Sequence, residues 1–229
     1  MVFIKSETVS TYSHQFNRSI SSKLASGKQK IAFIIPPLLL ASMYFIFNHL
    51  AAKIEDQRIV WYVGLVSYWI IWGFIFPLFM IGAQGLKDLL KPQKLTWKIA
   101  LLLSVPLLGA GGAKLIPGMG EYEKNTMLIS ILVISTAFGN GFFEELLWRG
   151  VYTRVFPNNI FLRMFWPAIW FGLWHYIPVS INNHEISGLV GMMIGPLMMG
   201  LYLSYMTHKT NTIWWAIVFH TIGGLIMVL

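Results

Sequence analysis

The chain has 229 residues, of which 56% are hydrophobic and only 11% are charged. Soluble domains carry roughly 25% charged residues, so this composition excludes an ordinary water-facing surface and favours a protein embedded in lipid. Cysteine is absent, which excludes disulfides and thiolate metal sites. The net charge of +8 arises mainly from basic residues between apolar blocks, where they serve as topology signals. Nucleic acid is therefore not a predicted partner.

A polar segment precedes a series of apolar blocks. Residues 1–30 are Ser-rich and basic, and we interpret them as a cytosolic tail; the alternative is an organelle transit peptide. Residues 31–229 form the predicted transmembrane domain, because about seven blocks approach the ~20 residues that a helix needs to cross a bilayer. The fold class is thus predicted to be all-α, a polytopic transmembrane helical bundle. The predicted spans are about 31–50, 59–82, 97–117, 126–156, 160–177, 186–207 and 212–229.

Basic residues predict how the chain is oriented. With the amino terminus in the cytosol, thirteen of the seventeen Lys and Arg side chains fall on the cytosolic side of these spans. The positive-inside rule then favours a cytosolic amino terminus and an external carboxyl terminus. We expect a multi-pass protein of the cell membrane, with the lipid bilayer as its surroundings.

Two adjacent acids, Glu144 and Glu145, interrupt an apolar stretch, and Arg149 follows them. Charges at membrane depth cost at least ~2.5–3.5 kcal/mol each on insertion scales, so such groups usually face a polar interior and carry function. Glu145 and Arg149 have the i, i+4 spacing of a favourable ion pair. Glu144 points about 100° away around an ideal helix, which leaves its carboxylate free for chemistry. The alternative is that these residues are the solvated end of an amphipathic helix.

Two histidines, His175 and His220, also lie inside predicted spans. Measured at 1.5 Å per residue from the nearest polar turns, Glu144, His175 and His220 lie roughly 20, 24 and 14 Å deep. These depths allow the three side chains to meet in a polar active-site cavity within the membrane. A buried histidine is more often a packing residue, and that interpretation is the alternative for each one alone.

These motifs resemble those of the CPBP intramembrane proteases, the family of type II CAAX prenyl endopeptidases and of bacterial Abi proteins linked to bacteriocin processing and immunity. The resemblance covers residues 126–224, the predicted catalytic core. It rests on a Glu-Glu-x-x-x-Arg motif, a Phe-x-x-x-His motif and a final histidine. The matching residues are Glu144, Glu145 and Arg149, then Phe171 and His175, then His220.

The resemblance implies an intramembrane endopeptidase acting on a small membrane-associated or lipidated protein or peptide. In the implied mechanism Glu144 and His175 activate a water, and His220 stabilises the oxyanion, with Glu145, Arg149 and Phe171 in support. The sequence departs from the family at Gly224, where Asn or Asp is expected. Loss of one oxyanion donor costs on the order of 10²–10³ in turnover, unless Asn182, Asn183 or a backbone N–H replaces it.

No cofactor is predicted. Zinc is the alternative, since Glu144, His175 and His220 would leave an open position in a tetrahedral site, but their spacing differs from the His-Glu-x-x-His pattern. Two further functions compete with the protease: a catalytically weak or inactive regulator or scaffold of the same family, and a proton-coupled transporter built on intramembrane Glu, Arg and His.

Overall fold

A computed structural model describes residues 7–104, 127–181 and 186–228. Within these ranges the chain folds only into helices and connecting turns, which agrees with the predicted all-α class. Most of the predicted span 97–117, and the substitute donors Asn182 and Asn183, lie outside the described residues.

Within the described ranges, eight helices follow the apolar blocks of the sequence. Their bounds are α1 Glu7–Ala51, α2 Gln57–Leu89, α3 97–104, α4 127–155, α5 160–174, α6 Tyr176–Val179, α7 Ile186–Thr210 and α8 Trp214–Val228. α1 is continuous from Glu7, so no break in the helix marks the predicted boundary after residue 30. The division into a tail and a transmembrane domain stays a prediction.

Three of the helical segments described are long and apolar enough to cross a membrane: Ser26–Ala51, Gln57–Leu89 and Val190–Thr210. A shorter apolar helix covers Trp214–Ile226. These helices support a helical membrane protein, whereas the count of seven spans stays a prediction.

The surface and the interior have the reverse of the arrangement found in soluble proteins. Large apolar side chains face outward from α1 and α2, where Phe45 is 69% and Phe79 is 65% exposed. The charged side chains of Glu144, Glu145 and Arg149 are instead at most 1% exposed. Apolar surface outside and charge inside are expected when the surroundings are lipid and the interior holds a polar site.

The turn between α7 and α8 fixes where α8 begins. Asn211 adopts a left-handed conformation (φ 53°), which ends α7 and reverses the chain. Thr212 then donates its hydroxyl to the Leu89 carbonyl at 2.7 Å, and the Ile213 amide contacts the same carbonyl at 3.1 Å. The start of α8 is thereby held against the end of α2, and this contact sets the position of His220.

α4 is wound more loosely than an ideal α-helix around its charged residues. Wide, π-helical turns cover Asn140–Glu144 and Leu146–Val151, and such turns are frequent at functional sites. The sequence-based angle between Glu144 and Glu145 assumed 3.6 residues per turn, so it does not describe this segment. Gly141 allows α8 to come close, because a Cβ there would lie 2.9 Å from the Thr221 amide nitrogen.

Candidate active site

Glu144 is buried where α4 meets α5 and α8. The Trp174 indole donates a hydrogen bond to Glu144 Oε1 at 2.9 Å. Glu144 Oε2 lies 3.6 Å from His220 Nε2 and has no hydrogen-bond partner among the residues described. One oxygen of this carboxylate is therefore held in place, while the other remains available to a further donor.

Glu145 is the hub of an ion-pair network. Its Oε1 lies 2.9 Å from Arg149 Nη1, which confirms the predicted i, i+4 pair. The same oxygen lies 2.9 Å from His220 Nδ1. Because the carboxylate accepts there, His220 Nδ1 carries a proton, and His220 links the two glutamates.

Phe171 packs between the charged and imidazole groups. Arg149 lies over its ring, with 4.3 Å between the guanidinium carbon and the ring centroid. The rings of His175 and His220 meet the Phe171 ring edge-on, at centroid distances of 4.7 and 6.0 Å. A guanidinium over an aromatic face is stabilised electrostatically, more so when both are removed from water.

His175 is oriented by its own helix. Its Nδ1 lies 2.8 Å from the Phe171 carbonyl oxygen, which can only accept a hydrogen bond. Nδ1 therefore carries the proton, and Nε2 is the nitrogen free to accept one. No hydrogen bond joins His175 to Glu144 in the part of the chain that the structure describes. Trp174, the residue immediately before His175, is the one that donates to Glu144.

The aromatic residues that hold these groups were missed by the sequence analysis. Trp174 stacks on Tyr68 of α2 at a centroid distance of 3.9 Å. The Tyr68 hydroxyl accepts a hydrogen bond from the Trp148 indole at 2.8 Å. The position of Trp174 immediately before His175 was a usable signal, whereas nothing in the sequence singles out Tyr68.

The residues described do not assemble a metal site. Over 7–104, 127–181 and 186–228, no group of three or more His, Cys, Asp or Glu side chains could hold a metal ion. The alternative zinc ligands Glu144, His175 and His220 are thus not arranged as one ligand set.

Glu144 is thus a buried carboxylate with one oxygen free and the His220 imidazole close by, an arrangement suited to proton transfer. A model of the Rce1-like family of type II CAAX prenyl endopeptidases matches residues 126–226. The matched segment contains every predicted site residue, and the predicted resemblance to the CAAX proteases is confirmed over it. It covers somewhat less than half of the 229 residues. Comparisons with curated proteins and with solved structures gave no match.

Proposed function

We propose that this chain is an intramembrane endopeptidase that hydrolyses a peptide bond in a small membrane-associated or lipidated protein. The observation that carries the proposal is the buried Glu144 carboxylate, with one oxygen held by Trp174 and the other without a hydrogen bond among the described residues. A carboxylate that is fixed but not fully hydrogen-bonded is suited to act as a general base. The match to a protease family supports the same reaction type.

In the proposed mechanism Glu144 Oε2 accepts a proton from a water molecule. The resulting hydroxide adds to the carbonyl carbon of the scissile peptide, and the negative charge collects on the carbonyl oxygen. The carbon–nitrogen bond then breaks, and the proton held by Glu144 passes to the departing amine nitrogen. His175 Nε2, the free nitrogen of that ring, orients the water by accepting its second hydrogen.

His220 and Arg149 are the close polar partners of the two carboxylates. His220 contacts Glu145 through Nδ1 and faces Glu144 through Nε2. Arg149 neutralises Glu145 and is itself covered by Phe171. This arrangement keeps Glu145 out of the proton transfer, because both of its close partners are cations or proton donors.

The proposed substrate reaches the site from the lipid. The outward apolar faces of α1 and α2 support a bilayer environment for the helices around the site. Because the matched family is that of type II CAAX prenyl endopeptidases, we propose prenylated CAAX proteins as one substrate class. Bacteriocin or signalling-peptide precursors are the other class. We further propose a multi-pass cell-membrane protein with a cytosolic amino terminus and about seven spans.

The test compares peptide termini in membrane fractions of cells that carry wild type or Glu144→Gln. The change removes the base and keeps the volume of the side chain. We expect termini that appear with wild type and are absent with Glu144→Gln. Glu55→Gln, at an exposed glutamate before α2, is the matched control and should resemble wild type. Identical peptide termini in all three well-expressed samples would refute the proposed endopeptidase function.

A non-catalytic regulator or scaffold is the second candidate, and Gly224 is the observation that favours it. A membrane protein retained for helix contacts alone would tolerate Glu144→Gln without any change in termini. The proton-coupled transporter hypothesis predicts that the wild-type protein carries a substrate into sealed vesicles. It also predicts that Glu144→Gln abolishes this flux. These outcomes separate the three functions with the same variant.

A further inference from the structure

A cavity of about 240 Å³ adjoins the site at His220, which is one of its lining residues. Trp61 of α2, Ala137 and Asn140 of α4, and His220 and Gly224 of α8 contribute to its wall. Thr136 also lines it, but its hydroxyl already donates to the Leu132 carbonyl at 2.9 Å. The cavity is thus largely apolar, with an amide and an imidazole converging on it.

The Asn140 amide is held in one orientation. The Trp69 indole N–H lies 2.9 Å from Asn140 Oδ1, and an indole can only donate. The carbonyl half of the amide is therefore the half turned toward Trp69. The NH₂ half makes no hydrogen bond within the residues that the structure describes, so it keeps both protons for a ligand in the cavity.

Gly224 leaves this amide unobstructed. A Cβ at position 224 would lie 3.3 Å from Ala137 Cβ, which is tighter than nine in ten real Cβ contacts. The Asn or Asp that the family resemblance leads one to expect there would therefore require Ala137 to shift by a few tenths of an ångström. Asn140 presents an amide to the same cavity from the opposite helix, in the same wide turn as Glu144.

We propose that Asn140 is a catalytic residue of this protein, whose Nδ2 donates a hydrogen bond to the carbonyl oxygen of the scissile peptide. The inference rests on the proposed protease function. The amide stabilises the negative charge that collects on this oxygen when water adds, and no bond to Asn140 forms or breaks. His220 Nδ1 is hydrogen-bonded to Glu145 and its Nε2 faces Glu144 at 3.6 Å, so Asn140 supplies a donor that lies outside the ion-pair network.

The test follows the Glu144-dependent termini of the membrane-fraction peptide pool over time in Asn140 variants. Asn140→Asp keeps an oxygen for Trp69 but removes both N–H donors, and Asn140→Ala removes the whole amide. We expect both variants to slow the appearance of these termini on the order of 10²–10³-fold, the usual effect of losing one oxyanion donor. Asn48→Asp, at an exposed asparagine of α1, is the matched control and should cleave at the wild-type rate.

A rescue variant separates catalysis from packing. In Asn140→Ala, the added pair Ala137→Gly and Gly224→Asn relieves the contact between the helices and supplies an amide from α8. We expect at least a tenfold recovery of the rate. Trp69→Phe keeps the Asn140 amide and removes only its anchor, so its loss should be smaller than that of Asn140→Ala.

Three results would overturn the proposal. The first is a wild-type cleavage rate in a folded Asn140→Asp or Asn140→Ala variant. The second is an equal loss of cleavage rate in Trp69→Phe and Asn140→Ala, which would assign Asn140 a structural role, and the third is a loss of rate in Trp61→Phe that the Asn140 variants do not show. Thermal unfolding in detergent reports whether each variant is folded. Termini that depend on Glu144 but not on Asn140 would refute this inference alone. If no terminus depends on Glu144, the proposed function fails and this inference fails with it.

Discussion

The amino-terminal helices α1 and α2 and the carboxyl-terminal helices α4 to α8 contribute differently to the site. The carboxyl-terminal helices carry the charged and imidazole groups and the family match. α2 contributes no ionised group to the site, yet its Tyr68 and Trp69 hold Trp148, Trp174 and Asn140 by hydrogen bonds and stacking. The motif-bearing helices thus carry the charged residues of the candidate site, while aromatic residues from a helix without a motif hold their neighbours in place.

The largest effect is expected in the carboxyl-terminal helices, from Arg149→Met. The change leaves Glu145 buried and without its closest cation, and breaking a buried pair costs about 3–5 kcal/mol. Denaturation in detergent should show a much lower unfolding midpoint. Arg58→Met, whose partner Asp56 is solvent-accessible, is the control and should change the midpoint little. Equal shifts of the unfolding midpoint in the two variants would contradict a stabilising role for the buried ion pair in α4.

Trp174→Phe tests the donor that α5 provides. The variant removes the hydrogen bond to Glu144 Oε1 but keeps a ring against Tyr68. A hydrogen bond to a charged group contributes about 1.5–3 kcal/mol, so cleavage should slow roughly tenfold or more as Glu144 loses its orientation. Trp170→Phe, one turn earlier, is the matched control, because its indole nitrogen has no partner among the described residues. A similar cleavage rate in the two variants would show that the Trp174 hydrogen bond does not contribute to the activity of Glu144.

Tyr68→Phe measures how much a hydrogen bond from α2 to the carboxyl-terminal helices contributes to stability. It removes the acceptor of the Trp148 indole and leaves the stacking on Trp174 in place. We expect a loss of about 0.5–1.5 kcal/mol in the free energy of unfolding, the usual contribution of one hydrogen bond. Tyr44→Phe, at a 47% exposed position on α1, should have no measurable effect. An unchanged stability in Tyr68→Phe would show that packing alone holds the two regions together.

The smallest effect is expected at the start of α2, outside the site. Hydrogen bonds from the Arg58 side chain and backbone lower the pKa of Asp56 from 3.8 to about 2. The carboxylate thus favours the folded state above the unfolded-state pKa, and this contribution is lost as the pH falls from about 4 through about 2.

The check is the difference in thermal midpoint between wild type and Asp56→Ala, measured from pH 6 down to pH 2. The difference should shrink over that window. A difference that is constant with pH would mean that the helix cap, and not the ionised pair, accounts for the effect of Asp56.

Local spacing was enough to predict part of the site. Glu145 and Arg149 are four residues apart on one helix, so their ion pair follows from helix geometry and is present in the structure. The composition likewise indicated helices in lipid, and the motifs indicated a CAAX-protease segment before any fold was known. Each of these inferences needs only neighbouring residues or their totals.

The tertiary structure alone decided which distant side chains meet. Trp174 lies 30 residues from Glu144, His220 lies 75 from Glu145, and Trp69 lies 71 from Asn140. The chain contains ten tryptophans, all able to donate one hydrogen bond, so the sequence cannot say which of them reaches a given acceptor. That choice is made by how the helices pack, because the turns at Asn140–Glu144 and the contact of α4 with α8 set the direction of each side chain.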